Sequence, residues 1–178
     1  MKSTFGDMFE LPDFNKQGKA DDDMPLHSAD EFRNAASVIT TSILRTIHIF
    51  TPDLEPEIYD NQDFLDNVLE LCRGNRYASV KILVKDSSSA VKRGHGLIRL
   101  AQKLTSAIEI RNPVDEYLTI NHAFMVTDSK SLMYRQELDS YKGFYNLDCE
   151  FRSKKLEELF NTAWEHALPD IETRNLHI

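Results

Sequence analysis

The sequence is short of the residues that would carry it outside ordinary globular chemistry. Two cysteines, Cys72 and Cys149, occur in 178 residues, and their separation fits no metal-ligand spacing. They read as buried thiols, the expectation for a chain in the cytoplasm, or as a disulfide. No apolar run approaches the roughly 18 residues of a membrane span. The opening Met-Lys-Ser-Thr-Phe-Gly-Asp-Met lacks the apolar stretch of a secretory signal. A cytoplasmic location with no membrane partner is therefore expected. Positive charge is in deficit, with 21 Lys and Arg against 29 Asp and Glu, a net −8. Duplex DNA and anionic lipid need clustered cations, so nucleic acid is not the favoured partner. No spacing of His, Cys or carboxylates suggests a metal, and no cofactor is implied.

What remains suits one domain with a shared core, at 41% apolar content. Residues 1–25 hold Gly6, Pro12, Gly18 and the run Asp21-Asp22-Asp23, a flexible acidic leader. Phe5, Met8, Phe9, Leu11 and Phe14 could dock that leader on the domain or on a partner. Residues 26–178 form the domain. Order is expected from Ser28-Ala-Asp-Glu31, a capping box, with Phe32, Ala36, Ile39 and Ile43 at helical spacing. Strands are predicted at Thr46–Thr51, Ser79–Val84, Ala107–Arg111 and Asp148–Phe151. A hairpin joins His122–Thr127 to Ser131–Arg135 through Asp128-Ser129-Lys130. Helices are predicted around Phe64–Cys72, around Leu97–Leu104, and after a Ser153 cap through Trp164. Strand–helix alternation followed by a hairpin predicts an α/β fold: a mixed sheet, parallel in its first half, flanked by helices on both faces.

In such a sheet, ligands collect beyond the carboxyl ends of the parallel strands. The loops there hold Asp53, Asp86 and Arg111, and His122 faces the same crevice if its strand runs antiparallel. A histidine among carboxylates and cations suits a phosphate-ester site. His95, between Gly94 and Gly96 at a helix entry with Lys92 and Arg93 beside it, is a contact for an anion, a helix cap or solvated surface. Asp86 caps a helix or holds a cation. Arg111 meets a ligand or pairs with Asp53 or Asp86. His48 reads as a satisfied core histidine, and Trp164 and Phe160 as core.

The order of elements from about residue 33 to 168, with Asn-His-Ala-Phe-Met-Val-Thr-Asp at 121–128, resembles the phospholipase D superfamily. In that family a His-x-Lys motif, then four residues and Asp, supplies a histidine that attacks phosphorus and a lysine that binds the phosphoryl oxygens. The resemblance maps His122 onto the nucleophile and Asp128 onto the aspartate. The lysine has no counterpart. Side chains alternate along a strand, so Phe124 takes the lysine's face, and Asp128 falls in register with His122 unless a bulge intervenes. Arg135-Gln136-Glu137-Leu138 stands where the family usually has Gly-Ser-x-Asn. Further stretches, Asp53–Tyr59, Lys85-Asp86, Gly94–Ala101 and Trp164–His177, look like a small proteobacterial phospholipase-D-like domain of unknown function. Some members of that group are joined to acetyltransferase domains.

The resemblance implies a single phospholipase-D-like half-domain, expected as a homodimer. The missing lysine implies a non-catalytic binding or regulatory module with a degenerate pocket for a phosphate-containing ligand. Two alternatives stand beside it. One is a homodimeric phosphodiesterase or nuclease using His122, with Arg135 or Arg111 supplying the cation. The other is an interaction domain for a partner such as an acetyltransferase.

Overall fold

The computed structural model describes residues 22–174. Its centre is an eight-stranded mixed sheet. In chain order the elements are β1 (Met24–Leu26), α1 (Ala29–Thr40), β2 (Thr46–Thr51), α2 (Pro56–Tyr59), α3 (Gln62–Gly74), β3 (Ser79–Val84), α4 (Ser88–Arg93), α5 (Gly96–Lys103) and β4 (Ile108–Asn112). A 3-10 turn (Asp115–Thr119) leads to β5 (Ala123–Thr127), β6 (Ser131–Arg135), β7 (Gly143–Asn146), α6 (Glu150–His166) and β8 (Leu168–Pro169).

The strands lie in the order β1-β7-β6-β5-β2-β3-β4-β8. β2, β3 and β4 are parallel, while β5 runs antiparallel to β2, with Ile49 opposite Met125 and Phe50 opposite Phe124. The parallel first half and later hairpin match the sequence expectation. The two-residue period sorts each strand between two cores. Ile47, Ile49, Val80, Ile82, Met125 and Met133 pack with α1, α3 and α5. Phe50, Leu83, Phe124, Val126 and Leu132 pack with Leu156, Phe160 and Trp164 of α6. His48 shares the α6 face, stacked on Phe160 with ring centroids 4.8 Å apart. Its Nδ1 lies 2.9 Å from Glu157 Oε1.

The capping box forms. Ser28 Oγ accepts from Glu31 N at 3.2 Å, and Glu31 Oε2 accepts from His27 N at 2.5 Å, one residue ahead of the cap. Order nevertheless starts before Ser28. Met24–Leu26 pairs with β7, and Asp23 is ion-paired to Arg152, with Arg152 Nη1 donating to Oδ2 at 2.9 Å. An isolated tripeptide carries no periodicity, so only its partners reveal it. Residues 1–21 of the expected leader lie outside the described residues.

The strand expected at Asp148–Phe151 is instead a bend running into α6. Ser153 is no cap: it is buried inside the helix and its Oγ donates to Lys130 O at 3.0 Å. Cys149 N donates to the same carbonyl at 2.9 Å, so the hairpin turn sets where α6 begins. The true seventh strand is Gly143–Asn146. A Cβ on Gly143 would stand 1.8 Å from Tyr134 O, so only glycine lets β7 close on β6. Cys72 and Cys149 are free, half-buried thiols, and burial raises the pKa of both. Among the described residues no helix is long and apolar enough to cross a membrane.

Candidate functional site

β5 begins at the end of the sheet where β2 and β3 finish, so His122 stands beyond the carboxyl ends of the parallel strands, as expected. It shares its face with Phe124 and Tyr134, whose ring centroids lie 6.2 and 5.5 Å from its own. The residue is 6% exposed, and its Nε2 is sealed from solvent without a hydrogen-bond partner. A buried ring nitrogen in that state is costly, and most such atoms in folded proteins have a partner. Burial, reinforced by the charge of Lys85, lowers the His122 pKa to about 4. The imidazole is therefore neutral at pH 7.

Lys85 follows β3, and its Nζ donates to Ile120 O, two residues before the histidine. Burial lowers its own pKa. The positive charge that acts on His122 is that of Lys85, just after β3 and two strands from β5, while Arg135 and Arg111 are bonded elsewhere. A signal for it was present in the sequence. Period-two parity puts Lys81, Leu83 and Lys85 on one face, and antiparallel β5 returns His122 to the same end.

Arg135 lies on the opposite face. It pairs in register with Ala123, so it points away from Phe124 and His122. Its Nη1 donates to Glu55 Oε1 at 2.6 Å, Nε to Ser140 O at 2.8 Å and Nη2 to Leu138 O at 2.7 Å. The guanidinium also lies 4.3 Å from the Tyr141 ring centroid. Glu55 is buried and accepts from Thr51 Oγ1 at 2.9 Å. Desolvation outweighs Arg135 and raises the Glu55 pKa. The pair anchors a strained loop, since Leu54 and Glu55 have φ of 67° and 34°. Asp53 steadies the same loop by accepting from Glu55 N at 3.0 Å.

His95 is turned inward. Nδ1 accepts from Leu97 N and Nε2 contacts Leu54 O, both at 3.1 Å, which fixes a neutral ring with Nε2–H donating. Burial lowers its pKa, in keeping with that form. The anion position expected at this helix entry is filled by the chain itself, because Gly96 N donates to Asp60 Oδ1 at 2.9 Å. Asp86 accepts from Ser88 N at 2.9 Å at the start of α4. Arg111 donates to Glu109 Oε1 at 2.8 Å and Trp164 O at 3.1 Å, with its guanidinium 4.4 Å from the Trp164 ring centroid. The six sequence candidates therefore do not share one cleft. Five are engaged in bonds within the fold, and the buried Nε2 of His122 has no partner.

Asp128 does not fall in register with His122. It enters the hairpin turn with φ of 51°, which ends the strand's alternation. Its carboxylate accepts from Leu44 N at 2.7 Å and from Arg45 N and Thr46 N at 2.9 Å. It pins the entry of β2, a role that the turn chemistry alone did not disclose.

A mixed sheet with a parallel half, an antiparallel hairpin and helices on both faces defines an α/β fold, one similar to that of solved phospholipase D family members. The chain belongs to the family described as Domain of unknown function (DUF7931), whose model matches residues 28–176. Solved structures agree on the fold. Nuc, a phospholipase D family member from Salmonella typhimurium, is 12% identical with a TM-score of 0.52, over 80% of this chain and 91% of that one. NucT from Helicobacter pylori is 12% identical with a TM-score of 0.56, over 83% and 98%. TrmBL2, an archaeal chromatin protein whose structure shows a novel mode of DNA binding, is 14% identical with a TM-score of 0.61. That alignment takes in 85% of this chain and 55% of the archaeal protein. No curated protein matches the sequence.

Proposed function

We propose that this chain is a non-catalytic phospholipase-D-like module that acts by binding, its phosphoryl position closed. The observation that carries the reading is the sealed Nε2 of His122. A histidine nucleophile needs its nitrogen in line with phosphorus, about 3–3.5 Å away. Here aromatic rings wall the imidazole, Phe124 takes the motif lysine's place, and the Lys85 ammonium is engaged by Ile120 O. Without a preorganised cation, developing charge on the phosphoryl oxygens has no principal stabiliser.

One observation favours the homodimeric phosphodiesterase as a second reading. Lys85 puts a positive charge close enough to His122 to shift its titration. The two readings part on bis-p-nitrophenyl phosphate and short single-stranded DNA. Non-catalytic function leaves the wild type and His122→Ala equally inactive. Turnover present in the wild type and lost in His122→Ala overturns it.

A further inference from the structure

β4 is covered unevenly on its outer side. β8 pairs only with Arg111 and Asn112, through Pro169 and Leu168. Asp170 N donates to Ile110 O, which shows that the backbone groups of Ile110, and by the two-residue period those of Ile108, point outward there. Ile108 N is taken by Leu104 O. Beyond β8 the strand edge opens into a cleft of about 550 Å³ between β4, α5 and Thr173-Arg174. Its floor is apolar, made by Ala101, Ile108 and Ile110. Its rim is basic: Arg99, Lys103 and Arg174 are exposed, and the one carboxylate, Glu109, is already held by Arg111. Gln102 Nε2 donates to Thr173 O at 3.0 Å and ties α5 to the far wall, and with Ile110 O and Ile108 N already paired the edge is only partly open. Its apolar floor and cationic rim suit an extended acidic peptide with apolar side chains.

The chain carries such a peptide. Phe5-Gly-Asp-Met-Phe-Glu-Leu-Pro-Asp-Phe14 holds Asp7, Glu10 and Asp13, five large apolar side chains, and no Lys or Arg. In extended backbone Phe9 and Leu11 point the same way, towards a floor, and Pro12 would close the pairing. Reach allows it. β1 and β4 stand six strand spacings apart, roughly 29 Å. The eleven steps from Asp22 back to Leu11 span up to about 36 Å when fully extended. Within one copy the tether is nearly taut, whereas a second copy is reached with ease.

We infer that residues 5–14 dock along the β4 edge, in the cleft between α5 and Arg174. The test uses the full chain with a photo-crosslinking phenylalanine analogue at position 9, in mixtures of isotopically light and heavy copies. Cross-links are expected on peptides spanning residues 99–111 or 173–174, and the isotope pattern reports whether one copy or two take part. Reversing the leader (Asp7→Lys, Glu10→Lys, Asp13→Lys) or the rim (Lys103→Glu, Arg174→Glu) is expected to lower their yield at least fivefold. Combining the two sets restores it. Cross-links confined to other surfaces, or yields indifferent to both reversals, overturn the inference.

Discussion

Replacing Arg135 by Met removes the one guanidinium bonded to a carboxylate that is 4% exposed. The variant loses the 2.6 Å contact to Glu55 and two bonds to backbone carbonyls, leaving Glu55 with Thr51 alone. Removing one partner of a buried ion pair costs about 3–5 kcal/mol, because the surviving charge stays desolvated. With an m value of about 2 kcal/mol/M, the urea midpoint is expected to fall by roughly 2 M. The Glu55 pKa is already raised by burial, and loss of Arg135 takes away the influence that lowers it. A carboxyl whose folded pKa is raised is tolerated when protonated and loses stability as pH rises through that value. The deficit of Arg135→Met should therefore shrink in acid, and Glu55→Gln in the same chain should recover more than half of it at pH 7. Urea denaturation followed by circular dichroism reads all three. A loss below about 1 kcal/mol, with no rescue by Glu55→Gln, would remove Arg135 from its structural role and reopen it as a ligand-binding cation.

Three further outcomes are expected. His122 is held near pKa 4 against an ordinary 6.5, so the unfolded chain takes up its proton first as pH falls. Wild-type stability should drop by about 3 kcal/mol between pH 6.5 and 4 relative to His122→Phe, in paired urea titrations. Lys85→Met removes a positive neighbour, so the His122 titration should move upward in a nuclear magnetic resonance titration; an unmoved pKa would separate the two residues. Asp128→Ala removes three hydrogen bonds to one carboxylate at the entry to β2, two of them exposed so that water replaces them, and should cost about 1–1.5 kcal/mol by thermal or urea unfolding.

Legibility followed the periodicity. β2 and β3 were readable to the residue because β-branched, apolar runs buried on both faces leave little ambiguity. The β5–β6 hairpin was readable because Asp-Ser-Lys is turn chemistry between apolar runs. β1 and β8 are three and two residues long and exist only through β7 and β4, so no local pattern announces them. The helix expected around Leu97–Leu104 proved to be the second of two, because Gly94 takes φ of 75° and ends α4 just ahead of it. At the site, residue type located His122, but pairing decided everything else. Arg135 was a candidate by charge alone, and one step of strand parity sent it to the other face. His95 and Asp86 carried the right chemistry for anions or cations, and the fold spends both on backbone amides. Lys85 was visible as a strand-end residue; its meeting with Ile120 depends on the path of the chain after Asn112.

The reading rests on closure of the His122 imidazole, and carbethoxylation by diethyl pyrocarbonate, followed residue by residue in a mass spectrometer, measures that closure. His27 and His166 are exposed, the latter with Nδ1 2.9 Å from Thr162 O, and set the reference rate. His122, 6% exposed, should react at least tenfold more slowly than either at pH 7. Modification of His122 at the pace of His166 would mean an open, nucleophilic ring, and the non-catalytic account would fail.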